Sequence, residues 1–333
     1  MGNTLNRLGE VLPVPIVPDD VLTRFHVAGI ADTRFSRCAR LLQSIWRDRR
    51  GLESGVHKPK GRKSRRLGSL LAPGAARTGA TFASTEIARL ARHEVAYREY
   101  GALIDERRLW ANLLSSQTLT FNLFGAAKLD LDFASRLFAQ LLPNDIAHVQ
   151  HVGFEHSPGR GDPRYLADYT AFDAFLRATG PNGEPVFVGI EVKYAESMKR
   201  PERADLGRLR ELASQGKLFR EAQLDALLAE PFAQLTAEHL LTRLCAEQLG
   251  PSARAVFLVI TPTENREAAG IIERYRAMLL QEELSVPFQA LSLESVVQSI
   301  TEVGEQALAH YLTERYLDMT PIHDLIAAWE PNA

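Results

Sequence analysis

Asp173, Glu191 and Lys193 are side chains of the kinds that handle phosphoryl groups, and they fall on two consecutive short apolar runs. In Phe187-Val-Gly-Ile-Glu-Val-Lys-Tyr194 the strand period of two puts Glu191 and Lys193 on one face and Ile190, Val192 and Tyr194 on the other. A buried carboxylate beside a buried ammonium must be paired, hydrated or bound to a metal, because burying either charge uncompensated is costly. Asp173 lies in Phe172-Asp-Ala-Phe175, on the preceding run, so pairing of the two strands brings two carboxylates together. Held close without a cation they repel and one pKa rises, whereas a divalent ion favours both in ionised form. Oxygen-only ligands point to Mg²⁺ or Mn²⁺ rather than zinc. Lys193 is placed to orient or help deprotonate a water and to offset charge on a phosphoryl group. The plainer alternative is a half-exposed polar position for Asp173 and a cross-strand ion pair for Glu191 and Lys193.

Three strand candidates position these groups: Ile146 to Glu155, Tyr169 to Leu176 and Val186 to Tyr194. The turn-rich segment between the second and third reads as a hairpin through Pro181-Asn-Gly183, which predicts an antiparallel meander. Helical patterns precede it, from Ser84 to about Leu114 and from Asp132 to Leu142. Between them, Asn112, Ser115, Ser116, Gln117 and Asn122 are spaced among large apolar residues and are expected to satisfy one another or backbone groups inside the fold. After the meander come helices at Leu206 to Leu228 and Pro231 to Leu249, a strand at Ala255 to Ile260, a helix at Glu264 to Gln281 and a strand at Pro287 to Leu293. An amphipathic helical tail then runs from Leu293 to about Tyr316. The order is α-βββ-α-β.

The N-terminal part reads differently. Pro13, Pro15 and Pro18 make residues 1 to about 33 an irregular arm with a short strand around Phe25 to Ile30, and a helix with a basic outer face is predicted from Asp32 to Arg49. GLESGVHKPKGRKSRRLGSLLAPGAARTGA lacks apolar periodicity and reads as a loop or disordered segment. The formal net charge of -2 conceals an asymmetry: between Arg34 and Arg77 thirteen Lys or Arg face two acids, so this segment is about +11 and the remainder about -13. Lys58, Lys60, Arg62, Lys63, Arg65 and Arg66 form either a solvated linker or an arm contacting nucleic-acid phosphates. No aromatic residues interleave with them, so base stacking is not indicated there. Two cysteines are too few for a disulfide framework, and neither a secretion signal nor a run of about 20 apolar residues is present; a cytoplasmic protein without membrane association is the expectation. The absence of HExxH and of a GxxxxGK[ST] loop argues against a zinc hydrolase and an ATP-driven motor.

The Asp173…Glu191-Val-Lys193 pattern, set on consecutive strands within α-βββ-α-β, resembles the PD-(D/E)XK nuclease superfamily. Asn112-Leu-Leu-Ser-Ser-Gln117, Phe121-Asn-Leu-Phe-Gly125, Phe154-Glu-His-Ser-Pro-Gly-Arg160 and Gly189-Ile-Glu-Val-Lys-Tyr194 resemble stretches of bacterial members assigned as nucleases by family alone. The resemblance covers roughly residues 85 to 300 and leaves the basic part outside. It implies a restriction-endonuclease-like α/β fold, a mixed central sheet flanked by helices, with residues 1–83 as an extension, 84–305 as the nuclease-like domain and 306–333 as a helical tail. It also implies Mg²⁺- or Mn²⁺-dependent hydrolysis of DNA in a bacterial cytoplasm, with a role in restriction or defence. Asp173, Glu191 and the carbonyl of Val192 would be metal ligands, and Lys193 the activating base or charge stabiliser. Many relatives cut both strands as dimers, so a homodimer is compatible with it.

Members often add a glutamate from the first helix. Glu86, Glu94, Glu99 and Glu106 all lie in that region, and Glu99, in Tyr97-Arg-Glu-Tyr-Gly101, is the favoured one. Glu155 competes from the end of the first strand, or pairs with Arg160 or Arg164. On the helix after the sheet Gln234 is a candidate accessory residue, while Glu238, His239, Thr242 and Arg243 equally suit a solvated face. A different class of function, a non-catalytic DNA-binding or assembly module on the same fold, is opposed by the intact set Asp173, Glu191, Lys193.

Overall fold

The computed structural model describes residues 14–28, 32–58, 61, 63–98, 102, 104–196, 198, 206–280 and 286–329. Among these residues the strands are β1 (Ser54–His57), β2 (Arg65–Leu71), β3 (His148–His156), β4 (Phe172–Thr179), β5 (Pro185–Val192), β6 (Arg254–Thr261) and β7 (Phe288–Ser292). The main sheet has the order β3-β4-β5-β6-β7, antiparallel from β3 to β5 and parallel from β5 to β7. Antiparallel neighbours need only a tight turn, and Gly183 supplies the φ of +83° that the β4–β5 turn requires. Parallel neighbours need a crossover: Leu206–Gln215 and Ala233–Glu247 lie in the first, Arg266–Ala277 in the second. This is the mixed α/β sheet of a restriction-endonuclease-like fold.

The central strands are apolar on both faces because both are covered. Ala174, Leu176, Val188, Ile190, Val192 and Leu258 belong to a cluster with Leu119, Phe121 and Leu123 of helix Ser116–Leu129. Phe175, Phe187, Phe257 and Val259 form another with Leu240, Leu241 and Leu244 of helix Ala233–Glu247 and Tyr275 of helix Arg266–Ala277. Phe35, Cys38 and Leu41 of helix Arg34–Arg49 join the first cluster, as do Leu312, Tyr316 and Ile322 near the C-terminus.

Several local expectations are corrected. The segment after Arg49 is not simply a loop: β1 and β2 pair antiparallel, Leu67 and Leu71 are buried, and Leu113 N–H donates to Ser69 O at 3.0 Å. Three of its basic neighbours are spent on internal contacts, Arg40 with Asp32 at 2.8 Å, Arg50 with Glu314 at 2.8 Å, and Arg47 with the carbonyl of Gly68. The arm contains a short helix, Asp19–Arg24, where no helix is expected, and the strand expected to begin at Phe25 does not form in the described part of its range. The helix expected from Ser84 to Leu114 is two helices, Thr85–Ala96 and Glu106–Ala111. That expected from Leu206 to Leu228 ends at Gln215, just before Gly216 and Lys217, the latter at φ +48°. No helix among the described residues is long and apolar enough to cross a membrane.

Candidate active site

Strand register places three carboxylates in one row. The pairs Phe154↔Ala174 and His156↔Phe172 bracket Glu155 and Asp173, and Ala174↔Ile190 leaves Asp173 opposite Glu191. Residues opposite each other on adjacent strands project to the same face, so Asp173 and Glu191 meet as the sequence reading expects. Asp173 Oδ2 accepts from Val192 N–H at 2.9 Å. Glu191 is 2% exposed and lies 2.8 Å from Lys193 Nζ, itself 8% exposed.

Helix Ala233–Glu247 completes the arrangement, and a glycine lets it approach. A Cβ on Gly189 would stand 2.4 Å from Thr242 Oγ1 and 2.5 Å from a Phe172 ring carbon, so only a bare backbone fits there. From that contact, four-residue steps along the helix, about 6 Å each, run beside two-residue steps of about 6.6 Å along β5. Thr242 lies over Gly189, and Glu238 and Gln234 follow toward Glu191 and Lys193. Gln234 Nε2 donates to Glu191 Oε1 at 2.8 Å and to Glu238 Oε1 at 2.9 Å, while Gln234 Oε1 accepts from Lys193 Nζ at 3.1 Å.

Glu238 is not on a solvated face: it is 2% exposed, and its Oε2 has no hydrogen-bond partner among the described residues. Thr242 and His239 are also fully buried. His239 is a core residue, held between Tyr275 OH at 3.0 Å and Val286 O at 2.9 Å, with burial depressing its pKa to about 4. The sequence signal for Glu238 was present. Leucines at 235, 240, 241 and 244 surround this helix, and a helix apolar on all sides is buried together with its polar residues.

Glu155 ends the row on β3. It is buried, and its φ of +47° is uncommon for a residue with a side chain and interrupts the alternation of the strand. Gln117 Nε2, from helix Ser116–Leu129, donates to Glu155 Oε1 at 2.7 Å. Burial, against the Gln117 hydrogen bond, pushes the Glu155 pKa up to about 7, and the charge of Glu191 adds to the rise. Burial and then Glu191 and Glu155 raise Asp173 well above the carboxylate range; burial and then Glu191 do the same to Glu238. Burial would lower the pKa of Lys193, but Glu191 and Asp173 outweigh it and hold the ammonium above its usual range.

Four carboxylates therefore face the Lys193 ammonium, with Arg108 and Arg160 acting in addition on Glu155, an excess of negative charge that a cation would relieve. The donors are all oxygens, which fits a hard divalent ion. Among the described residues no three acid, histidine or cysteine side chains stand close enough to enclose one. Asp173, Glu191 and Lys193 come together, with Gln234 and Glu155 beside them. Glu99 lies outside the described residues, as do Lys60 and Arg62. The other first-helix acids are engaged elsewhere: Glu94 with Lys128 at 2.7 Å and Glu106 with Arg98 at 2.9 Å, while Glu86 sits in the first turn of its own helix. Lys58, Lys63, Arg65 and Arg66 are exposed on or beside the β1–β2 hairpin, with Arg65 donating to Ala28 O at 3.0 Å. Among the small polar residues, Asn122 donates to Thr81 O and Tyr316 OH, and Glu196 accepts from Ser116 N–H at 2.8 Å.

A family model described as the PD-(D/E)XK nuclease superfamily matches residues 30–318. The chain belongs to this superfamily. For a PD-(D/E)XK nuclease family the substrate class that follows is nucleic acid. The match begins before helix Arg34–Arg49 and takes in the β1–β2 hairpin, so the basic part lies inside the family region and not outside it. No curated protein and no solved structure matched the chain.

Proposed function

We propose that this PD-(D/E)XK protein hydrolyses DNA phosphodiester bonds using Mg²⁺ or Mn²⁺ held by Asp173, Glu191 and the carbonyl of Val192. The observation that carries the reading is the buried Glu191–Lys193 pair, 2.8 Å apart, in register with Asp173 on the next strand. A bound divalent cation supplies polarisation of a phosphoryl oxygen and a water of lowered pKa.

The side chains have separable parts. Asp173 is oriented by the Val192 amide, which donates to one oxygen. Lys193 Nζ lies 2.8 Å from Glu191, a donor placed to orient water and to offset charge on the phosphoryl oxygens. Gln234 fixes the heads of Glu191 and Lys193 at once, and Glu238 fixes Gln234. Calorimetric titration with Mn²⁺ tests the ligand assignment: the wild-type chain is expected to bind, and Glu191→Gln and Asp173→Asn each to bind at least about tenfold more weakly. Binding unaffected by both substitutions contradicts it.

A further inference from the structure

Next to the carboxylate row, a cleft of about 340 Å³ opens at the β3 edge of the sheet. Helix Ala233–Glu247 packs on β5 and β6, and the same face of β3 and β4 further out contributes His151, Gly153, Phe175 and Arg177 to the cleft. Asp173, Phe175 and Arg177 alternate along one face of β4. Arg177 is four residues from Asp173, about 13 Å along the strand. Tyr97, Arg98 and Lys128 form the opposite wall, and Glu155 belongs to both the cleft and the row.

The lining combines π surface with cationic charge. A Cβ on Gly153 would lie 1.9 Å from Phe175, so the missing side chain is what lets that ring lie across β3. Phe175 stands between two imidazoles, His151 at 5.3 Å and His156 at 4.8 Å between centroids. Tyr97 is 77% exposed, its ring 4.6 Å from that of His93. Lys128 and Arg98 are balanced by Glu94 and Glu106, whereas Arg177 is exposed and has no ion-pair partner among the described residues. The cleft carries a positive field at His151, whose pKa is depressed by burial first and then by Lys128 and Arg177.

We infer that this cleft holds one unpaired nucleotide of the substrate strand, its base against Tyr97 and the His151–Phe175–His156 rings and its phosphate at Arg177. The inference rests on the nuclease reading and deepens it by naming the form of the substrate near the cut. An uncompensated guanidinium beside aromatic faces is the combination that recognises single-stranded nucleic acid without reading its sequence. The volume is at the lower end for ligand sites, room for one nucleotide and too little for a duplex. Glu155, shared between the cleft and the carboxylate row, puts that nucleotide on the strand being cut.

Binding without cleavage tests it. A fluorescein-labelled single-stranded DNA ten-mer, titrated with the full chain in EDTA and read by anisotropy, is expected to bind more tightly than the same sequence as a duplex. Arg177→Ala and Tyr97→Ala are each expected to weaken single-strand binding by about tenfold, with Arg177→Lys restoring part of the loss. Both positions are exposed, and unchanged thermal unfolding of each variant confirms that the fold is intact. Deoxynucleoside monophosphate is expected to compete better than inorganic phosphate; equal competition overturns the role of the rings. Wild-type cleavage with Mn²⁺ together with binding indifferent to Arg177 and Tyr97 overturns the cleft and leaves the nuclease reading standing. Single-strand binding that depends on both residues, in a chain that cuts nothing, supports the cleft and removes the nuclease reading instead.

Discussion

Gln234 joins Glu191 to Lys193 through a single amide, donating to the carboxylate at 2.8 Å and accepting from the ammonium at 3.1 Å. Because its nitrogen also reaches Glu238 at 2.9 Å, the amide cannot flip without putting an oxygen against two carboxylates. The pair on β5 is thus held by a helix distant in sequence. Gln234→Leu removes all three hydrogen bonds and leaves Glu191 and Glu238 facing each other. The expected result in urea unfolding is a loss of about 1–3 kcal/mol. For a site that works by positioning, cleavage is expected to fall about tenfold to a hundredfold in kcat. A variant with wild-type kcat shows that the amide is not needed to place Lys193.

Gly189 sets how near that helix comes. Gly189→Ala adds a methyl carbon 2.4 Å from Thr242 Oγ1 and 2.5 Å from the Phe172 ring, and neither group has free space into which to retreat, since both residues are fully buried. Overpacking of this kind costs about 1–3 kcal/mol. Displacement of the helix is expected to weaken Mn²⁺ binding as well, although Gly189 is no ligand. Chemical denaturation and calorimetry check the two effects together, and a variant as stable as wild type contradicts the close packing.

Stability depends on pH through Glu155. Its pKa is raised from 4.5 to about 7 in the folded chain, so the folded state keeps a proton that the unfolded chain has lost. Its contribution is therefore full below about pH 4.5 and lost as pH rises through about 7. His239, lowered from 6.5 to about 4, works in the opposite sense: its contribution is full above 6.5 and lost as pH falls toward 4. The two windows overlap, and Asp173 and Glu238, also raised by burial, act in the same sense as Glu155, which makes the difference between wild type and Glu155→Gln the informative quantity. The variant cannot ionise there, and relative to wild type it is expected to gain up to about 3 kcal/mol between about pH 4.5 and pH 8. A difference that stays constant across that range shows that Glu155 ionises normally.

The central strands were legible because both their faces are buried, which made Val186 to Tyr194 largely apolar and Ala255 to Ile260 continuously so. The register was legible too, since Pro181-Asn-Gly183 fixes the hairpin and so sets Asp173 against Glu191. The β1–β2 hairpin was hidden by its composition: Lys, Arg and Gly surround a few apolar residues, and Leu71 finds its core in residues distant from it in sequence, Trp46 of helix Arg34–Arg49 and Leu113. Glu238 was misplaced because charge was weighed over the apolar residues on every side of its helix. Arg40 and Arg50 counted toward a basic surface, yet they pair with Asp32 and Glu314, one of them across the length of the chain.

The most direct test of the central claim is single-turnover cleavage of single- and double-stranded DNA by the folded chain with Mg²⁺ or Mn²⁺, beside Asp173→Asn and Lys193→Ala. Cleavage by the wild type that EDTA abolishes, with each variant slower by about a hundredfold or more, is the predicted result. Failure of the folded wild type to cut any DNA, or cutting by both variants at the wild-type rate, contradicts it.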